Sequence, residues 1–311
     1  MPRRPTPLPS PLADGSFSVH HADALGVSRK RTRAGDLVRV SRGIRIPAHP
    51  ASGPIAALRA YCEIDSRATL VDFSAARVWD LPLPWRTLGD WRIRIAHPRG
   101  VNRPRRANVL GRELTFAAGE VVVLDGLRLT SPARTFLDLA EFLEVDELVP
   151  IADRLICAHP EDHPYPREPW VTLPELRAVV RRHPGKRGVR KARLALDLAR
   201  VGADSPQESR LRLAIVDAGL PEPELNAPIR DGSGRPVAWP DLSYSAWSLS
   251  IQYDGAVHDA DDQYARDIER HRRTLAAGWT EVRLKKGDLD GERPRAVVVI
   301  REALWAAGWR R

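Results

Sequence analysis

One short segment near the C-terminus constrains the fold of this chain more than any other. Apolar and polar residues alternate strictly over Ser248–Asp254, which predicts a strand with two different faces. The apolar face carries Leu249, Ile251 and Tyr253, and the polar face carries Ser250, Gln252 and Asp254. The polar side chains are therefore expected together, on the face opposite the core.

Helix and strand patterns alternate around this strand. From Gly202 onward the order is helix, strand–turn–strand, helix, strand and helix, over 205–218, 227–254, 261–277, 279–284 and about 292–307. We expect residues 201–311 to form an α/β domain with a mixed central sheet. The whole chain has 311 residues, more than one typical domain, and an α+β class is expected overall.

Residues 16–50 have the order of elements found in a winged helix-turn-helix. A short amphipathic helix is predicted over Val19–Leu25, and Ser28 can cap a second, basic helix that ends near Gly35. Two β-rich pieces follow around residues 41–43. In a winged helix the second helix enters the major groove of DNA and the hairpin forms the wing.

Basic residues are concentrated in the parts of this segment that would meet DNA. The groove and phosphate candidates of the second helix are Arg29, Lys30, Arg31 and Arg33, and those of the wing are Arg39, Arg42 and Arg45. The alternative is a small helical cap with an arginine-rich solvated face. Charge and turn chemistry agree here, so DNA binding is favoured.

Residues 51–200 alternate between helix and strand patterns, which predicts a middle α/β domain. Ser131 is the expected N-cap of a helix that has Pro132 at its first position. Three residues of metal-ligating types, Cys157, His159 and His163, occur in a proline-rich loop. Their spacing fits no standard zinc site, so no zinc site is predicted there.

Charge and composition limit the class of protein. The net charge is +9; residues 181–200 hold eight basic residues against one acidic, whereas residues 201–260 hold four against nine. A basic body with one acidic segment suits a protein that attracts a polyanion and holds a cation, and a merely solvated surface is the alternative.

Two cysteines argue for a reducing cytoplasm, and no apolar run approaches a membrane span. Residues 1–15, rich in proline, predict a disordered tail.

Several oxygen-bearing residues are expected near the C-terminal strand. Asp241 ends the preceding strand, and an antiparallel pairing would bring it near Gln252 and Asp254. Glu208 stands three residues after Ser205, a spacing that a helix capping box explains fully. Cleavage of a phosphodiester by a metal-dependent nuclease needs Mg²⁺ held by hard oxygen ligands.

Residues 202–290 resemble the Vsr-like (very-short-patch-repair) endonuclease domains of the PD-(D/E)xK superfamily. The family's helix glutamate, strand aspartate, "(E)xDG…H" strand and basic helix ending in "GW" are matched in order by Glu208, Asp241, Gln252, Asp254, Gly255, His258, Asp267, Arg270 and Gly278-Trp279. The resemblance implies a restriction-endonuclease-like fold and Mg²⁺ or Mn²⁺ as cofactor. It implies that the metal ligands are Glu208, Asp241, Gln252 and Asp254. It also implies that Asp254 can instead orient the attacking water, and that His258 is a base or a phosphate contact.

Two positions depart from the family pattern. Gln252 stands where these domains have glutamate, and a neutral amide oxygen binds Mg²⁺ more weakly; glutamine also stands there in Mrr-like nucleases. Asp254 replaces the superfamily lysine, so the candidates for the missing positive charge are Lys285, Lys286 and Arg270. Each can instead be a solvated surface charge, and Arg270 can pair with Asp267 along its helix.

The remainder of the chain resembles abortive-infection antitoxins of the AbiEi type. "ALGVSRKRTRAGDLVRVSRGIRIP" is similar to their N-terminal winged helix, and "LTSPARTFLDLA" to the domain that follows it. The resemblance implies DNA as a partner and a cognate toxin as another. The favoured function is metal-dependent DNA cleavage in repair or defence. The alternative is a regulator or antitoxin-like DNA-binding protein whose nuclease fold is inactive, which Gln252 favours.

Overall fold

The computed structural model describes residues 5–48, 54–254 and 261–310, and in the helix that begins at Asp261 it describes side chains from Asp267 onward. The chain divides into two compact units, one ending at Phe142 and the other beginning at Leu143. Both units mix helices with sheets, which confirms the predicted α+β class. The sequence instead suggested boundaries near residues 50 and 200.

The first unit contains two sheets. Its helices are α1 (Ser10–Ala13), α2 (Val19–Ala24), α3 (Arg59–Ile64), α4 (Asp72–Val78) and α5 (Pro132–Leu139). Its strands are β1 (Phe17–Ser18), β2 (Leu37–Ser41), β3 (Ile44–Pro47), β4 (Thr69–Leu70), β5 (Ile93–Pro98), β6 (Val109–Leu114), β7 (Val121–Leu124) and β8 (Leu127–Thr130). One sheet has the order β1-β3-β2 and is antiparallel, and the other has the order β6-β5-β4-β8-β7 and is mixed.

The N-terminal segment shares its core with the residues that follow it. Ile44 of β3 is fully buried in one apolar cluster with Leu58, Tyr61 and Leu70. This shared core explains why no boundary falls near residue 50. Part of the tail predicted as disordered is also ordered, because Leu12 of α1 is buried against Phe17 and Ala22.

The second helix predicted in this segment is a single 3₁₀ turn, Arg31–Arg33. Its N-cap is Lys30 and not the predicted Ser28, whose hydroxyl accepts a hydrogen bond from the Arg31 N–H at 3.2 Å just before the turn. The buried Thr32 hydroxyl donates to the Arg29 carbonyl at 3.1 Å. A side chain that takes a backbone acceptor competes with helix formation, and so short a segment gains little from a helix nucleus.

The second unit is a set of helices joined to a four-stranded sheet. Its helices are α6 (Val145–Ile156), α7 (Leu173–Arg182), α8 (Val189–Leu198), α9 (Pro206–Asp217), α10 (Asp261–Ala276) and α11 (Arg295–Ala306). Its strands are β9 (Glu224–Leu225), β10 (Ile229–Arg230), β11 (Pro236–Ala238), β12 (Leu242–Tyr244), β13 (Leu249–Asp254) and β14 (Thr280–Lys285). The sheet order is β14-β13-β12-β9, β13 and β14 are parallel, and β10 and β11 form a separate hairpin.

The alternation over 248–254 predicts the two faces of β13 correctly. Leu249 and Ile251 are fully buried in a cluster that also contains residues of α9, β14 and α11. Helix α10 contacts β14 and β11. Gly278 ends α10 with φ of +81°, as the "AAGW" pattern predicts.

A buried ion pair fastens α9 to the helices before it. The Arg212 guanidinium of α9 lies 3.2 Å from the Asp153 carboxylate of α6, and both side chains are 1% exposed. The same carboxylate accepts hydrogen bonds from the Ser209 hydroxyl and from the Arg200 N–H, each at 2.7 Å. Since a buried charge needs its partner, helices α6 to α8 belong with the sheet, and no boundary falls near residue 200.

Candidate functional site

Asp241 immediately precedes β12, rather than ending a strand as predicted, and it lies beside β13. Leu242 pairs with Ile251 in the antiparallel register, so the next position outward sets Asp241 opposite Gln252. The Tyr253 N–H donates a hydrogen bond to Asp241 Oδ2 at 2.7 Å. The pairing that the sequence suggested between these strands is therefore present, and a backbone donor fixes the carboxylate.

The polar face of β13 continues onto β14. In the parallel register Gln252 lies beside Arg283, and Asp254 lies beside Lys285. The Arg283 guanidinium is 3.7 Å from Asp254 Oδ1. Gln252 is 3% exposed, so its amide is a buried polar group on this face of the sheet.

Glu208 lies in the first turn of α9, where Ser205 is the N-cap. The Glu208 N–H donates to the Ser205 hydroxyl at 3.2 Å, which is half of the predicted capping box. Its carboxylate accepts from the Asp204 N–H at 2.9 Å, one residue before the cap. One oxygen of Glu208 is therefore engaged at the helix start, and the side chain is buried.

The pKa values of Glu208 and Asp241 are both raised. Burial and the negative charge of Asp241 raise the pKa of Glu208 from 4.5 to about 8. Burial likewise raises the pKa of Asp241 from 3.8 to about 6, although the Tyr253 N–H and the Arg270 charge oppose that change. The charges of Asp204 and Asp254 add to the rise at Asp241. Two buried carboxyl groups of this kind disfavour ionising together unless a cation joins them.

The candidates for the positive charge lie on two elements beside the site, α10 and the end of β14. Arg270 of α10 is near enough to lower the pKa of Asp241, and its guanidinium also lies 3.1 Å from Asp267. Arg270 can therefore form the ion pair with Asp267 along its helix and also act at the site. Lys285 ends β14 at an exposed position, and Lys286 follows it. His258, the predicted base or phosphate contact, lies outside the described residues.

The predicted DNA-binding residues differ in availability. Arg31 forms two hydrogen bonds to the Asp36 carboxylate, at 2.8 and 2.7 Å, and its side chain is 11% exposed. Arg29 is paired with Asp23 at 2.5 Å but stays largely exposed. The exposed remainder is Lys30, Arg33, Arg39 and Arg42, whereas Arg45 is half-buried and donates to the Thr32 carbonyl at 2.7 Å. Arg31 and Arg45 thus hold the turn in place, and the others present charge to solvent.

A second basic segment, which the sequence analysis missed, lies beside the β2–β3 hairpin that was predicted to be the wing. The segment 99–106, "RGVNRPRR", contains four arginines and no acid. The Arg106 guanidinium donates to the Arg42 carbonyl at 2.6 Å, so this segment contacts the turn between β2 and β3. Arg103 and Arg105 are exposed. The run of arginine without acid was the available signal, but its contact with the wing depends on tertiary structure.

Comparison with known proteins finds distant relatives that are themselves uncharacterized. No family model matches the chain. Two uncharacterized proteins of Mycobacterium tuberculosis, from strains CDC 1551 / Oshkosh and ATCC 25618 / H37Rv, are each 29% identical to it over 181 residues, or 57% of this chain. The chain spans 62% of the length of each relative. No solved structure matches. Within the described residues, no helix is long and apolar enough to cross a lipid bilayer.

The raised pKa of Glu208 predicts a pH-dependent stability. A folded-state pKa above the unfolded value means that the folded protein binds the proton more tightly, so stability falls as the pH rises from about 4.5 to about 8. Glu208→Gln keeps an oxygen for the Asp204 N–H and removes the charge. Without divalent cations, we expect the variant to exceed the wild type in free energy of unfolding by roughly 2 kcal/mol at pH 8, and by little at pH 4.5.

Urea denaturation followed by circular dichroism measures this difference at both pH values. Glu302→Gln, at an exposed position of α11, is the matched control and should follow the wild type. A Glu208→Gln protein less stable than the wild type at pH 8 would contradict the account of the buried carboxyl pair.

Proposed function

We propose that this protein binds DNA and hydrolyses its phosphodiester bonds with a Mg²⁺ or Mn²⁺ ion held by residues 208–254. The observation that carries the proposal is the pair of carboxyl groups with raised pKa values, the buried Glu208 and the half-buried Asp241, together with the buried amide of Gln252, which pairs in register with Asp241. The resemblance of residues 202–290 to PD-(D/E)xK nucleases supports it. Repair or defence in the cytoplasm is the role we propose.

The donor atoms fit a hard divalent cation. Glu208 and Asp241 supply carboxylate oxygens whose mutual repulsion a cation would relieve, and Gln252 supplies a neutral oxygen. Oxygen ligands of this kind suit Mg²⁺ and Mn²⁺. When bound, the ion would lower the pKa of a water molecule and offset charge on the scissile phosphate.

The remaining residues of the site have separate roles. Asp254 is partly exposed at the end of β13, where its carboxylate can bind the ion or orient the attacking water. Arg270 balances the negative charge of Asp241 and can hold a phosphate oxygen. We assign His258 to contact with the phosphate or to proton transfer, on the basis of the family pattern alone. Lys285, beside Asp254 in register, is the second candidate for a phosphate contact.

DNA would be held through its phosphates by the first unit. The exposed cations of the 3₁₀ turn and of the wing are Lys30, Arg33, Arg39 and Arg42. The segment 99–106, which contacts the wing through Arg106, extends this basic surface. Phosphate contacts supply affinity without reading sequence. A single 3₁₀ turn in place of a recognition helix favours weak base specificity.

Two observations favour a second candidate function, a DNA-binding regulator with an inactive nuclease fold. Gln252 brings no negative charge to the site, and the Glu208 carboxylate is already hydrogen-bonded to the Asp204 N–H. In an antitoxin of this kind, a toxin would be the second partner. This regulator would bind DNA without metal and leave it intact.

Cleavage of plasmid DNA separates the two functions. We expect purified protein with Mg²⁺ or Mn²⁺ to nick supercoiled DNA, and Asp241→Asn to lower the rate at least about 100-fold through loss of a metal-binding charge. Gln252→Glu should raise the rate at limiting Mg²⁺, because it restores a charged ligand. Glu302→Gln should match the wild type. Intact DNA with the wild type and with Gln252→Glu would favour the regulator.

The basic surface predicts a particular salt dependence of DNA binding. Replacing Arg103 and Arg105 together with alanine removes two exposed cations, so the slope of log K against log[salt] should fall in magnitude by about 2. Fluorescence anisotropy with a short duplex measures that slope. Arg92→Ala is the matched control, because Asp90 already pairs with that guanidinium at 2.8 Å. Equal slopes for both variants would contradict a role of the segment 99–106.

A further inference from the structure

Three metal-ligating side chains from distant parts of the chain converge beside the start of α9. Cys157 follows α6, and His159 lies two residues later in the proline-rich loop. The third residue, Asp204, immediately precedes the N-cap of α9. Cys157 and His159 are buried, while the Asp204 side chain is 40% exposed. The exposed part of Asp204 therefore leaves the three ligand atoms accessible from solvent.

The three ligand atoms lie at distances typical of a metal centre. Cys157 Sγ is 3.7 Å from His159 Nε2 and 3.6 Å from Asp204 Oδ1, and Nε2 and Oδ1 are 2.8 Å apart. In a tetrahedral zinc site, bonds of ~2.0–2.3 Å separate neighbouring ligand atoms by about 3.3–3.6 Å. The two distances to sulfur are close to these values, and the third needs to open by only about 0.5 Å.

The loop holds the His159 ring in a fixed orientation. Two backbone hydrogen bonds, at 2.9 and 3.2 Å, join His159 to Arg167. The ring stacks on that of His163 with centroids 4.1 Å apart, and His163 Nδ1 accepts a hydrogen bond from the Tyr165 N–H. His163 thus supports the ring of a ligand, a role that orients metal-binding histidines.

One cation already lies at this cluster. The Arg167 guanidinium is 3.3 Å from Asp204 Oδ1 and 3.6 Å from Cys157 Sγ. Hydrogen bonds from Arg167 and His159 would be a sufficient explanation for Asp204 alone. The Cys157 thiol also donates to Asp204 Oδ1 at 3.6 Å, but a thiol is a weak donor, so this contact adds little reason for the three ligand atoms to converge. Arg167 is 24% exposed, so its side chain can turn outward when an ion enters.

We propose that Cys157, His159 and Asp204 bind Zn²⁺ at a site separate from the Mg²⁺ site. A thiolate, an imidazole and a carboxylate form a ligand set that suits a borderline-soft ion rather than Mg²⁺. Water completes the fourth position. The Asp204 N–H donates to the Glu208 carboxylate, so the zinc ion fixes the segment that positions Glu208. The site does not depend on nuclease activity.

Cobalt substitution tests the proposal with the whole protein. Tetrahedral Co²⁺ bound to a thiolate gives a sulfur-to-metal charge-transfer band in the near ultraviolet. Cys62→Ser leaves Cys157 as the sole thiol of the chain, so we expect this variant to keep the band at one Co²⁺ per protein. Zn²⁺ should bleach the band, and excess Mg²⁺ should leave it unchanged. Cys157→Ser should lose it.

Circular dichroism checks that each variant is folded. If Cys157→Ser does not fold, the Cys62→Ser spectrum still decides, and Asp204→Asn, which keeps its size, should shift the d–d bands and weaken Co²⁺ binding. Absence of the charge-transfer band in folded Cys62→Ser would overturn the proposal. A band that Cys157→Ser retains and Cys62→Ser loses would overturn it equally.

Discussion

The negative charge of the half-buried Asp241 raises the pKa of the buried Glu208, and the free energy of holding both charges governs the arrangement around them. The Asp204 N–H faces one carboxylate, and the Tyr253 N–H faces the other. Arg270 adds a positive charge nearby. These donors are too few to prevent the rise in both pKa values. A site that leaves negative charge incompletely balanced is one that a divalent cation can stabilise.

The position of Glu208 depends in turn on how α9 is held. The Arg212–Asp153 pair, four residues along the helix from Glu208, ties α9 to α6. Just before the N-terminus of α9, Asp204 contacts the loop that carries His159. The helices before residue 200 therefore also hold α9 in place, and α9 carries the candidate ligand Glu208. Removing them would leave a charged guanidinium without its buried partner.

Local patterns in the sequence predicted the parts of this arrangement that local physics determines. The period of two over 248–254 predicted both faces of β13, and Ser205 predicted the start of α9. Contacts between distant segments were not predictable in this way. No sequence pattern around Asp204 indicates that its side chain contacts Cys157, which lies 47 residues away in the chain. The ion pair between Arg31 and Asp36 likewise depends on the tight turn between the two residues. The basic pattern of the sequence alone did not indicate that pairing.

The most direct test of the central claim is where a metal ion binds. Crystals grown with Mn²⁺ locate the ion by its anomalous scattering. The proposed site predicts one Mn²⁺ peak in contact with carboxylate oxygens of Glu208 and Asp241 and with the Gln252 amide oxygen, and loss of that peak in Asp241→Asn. The opposite result, with these three side chains well ordered and no Mn²⁺ between them at saturating concentration, would contradict the proposal that residues 208–254 form a nuclease metal site.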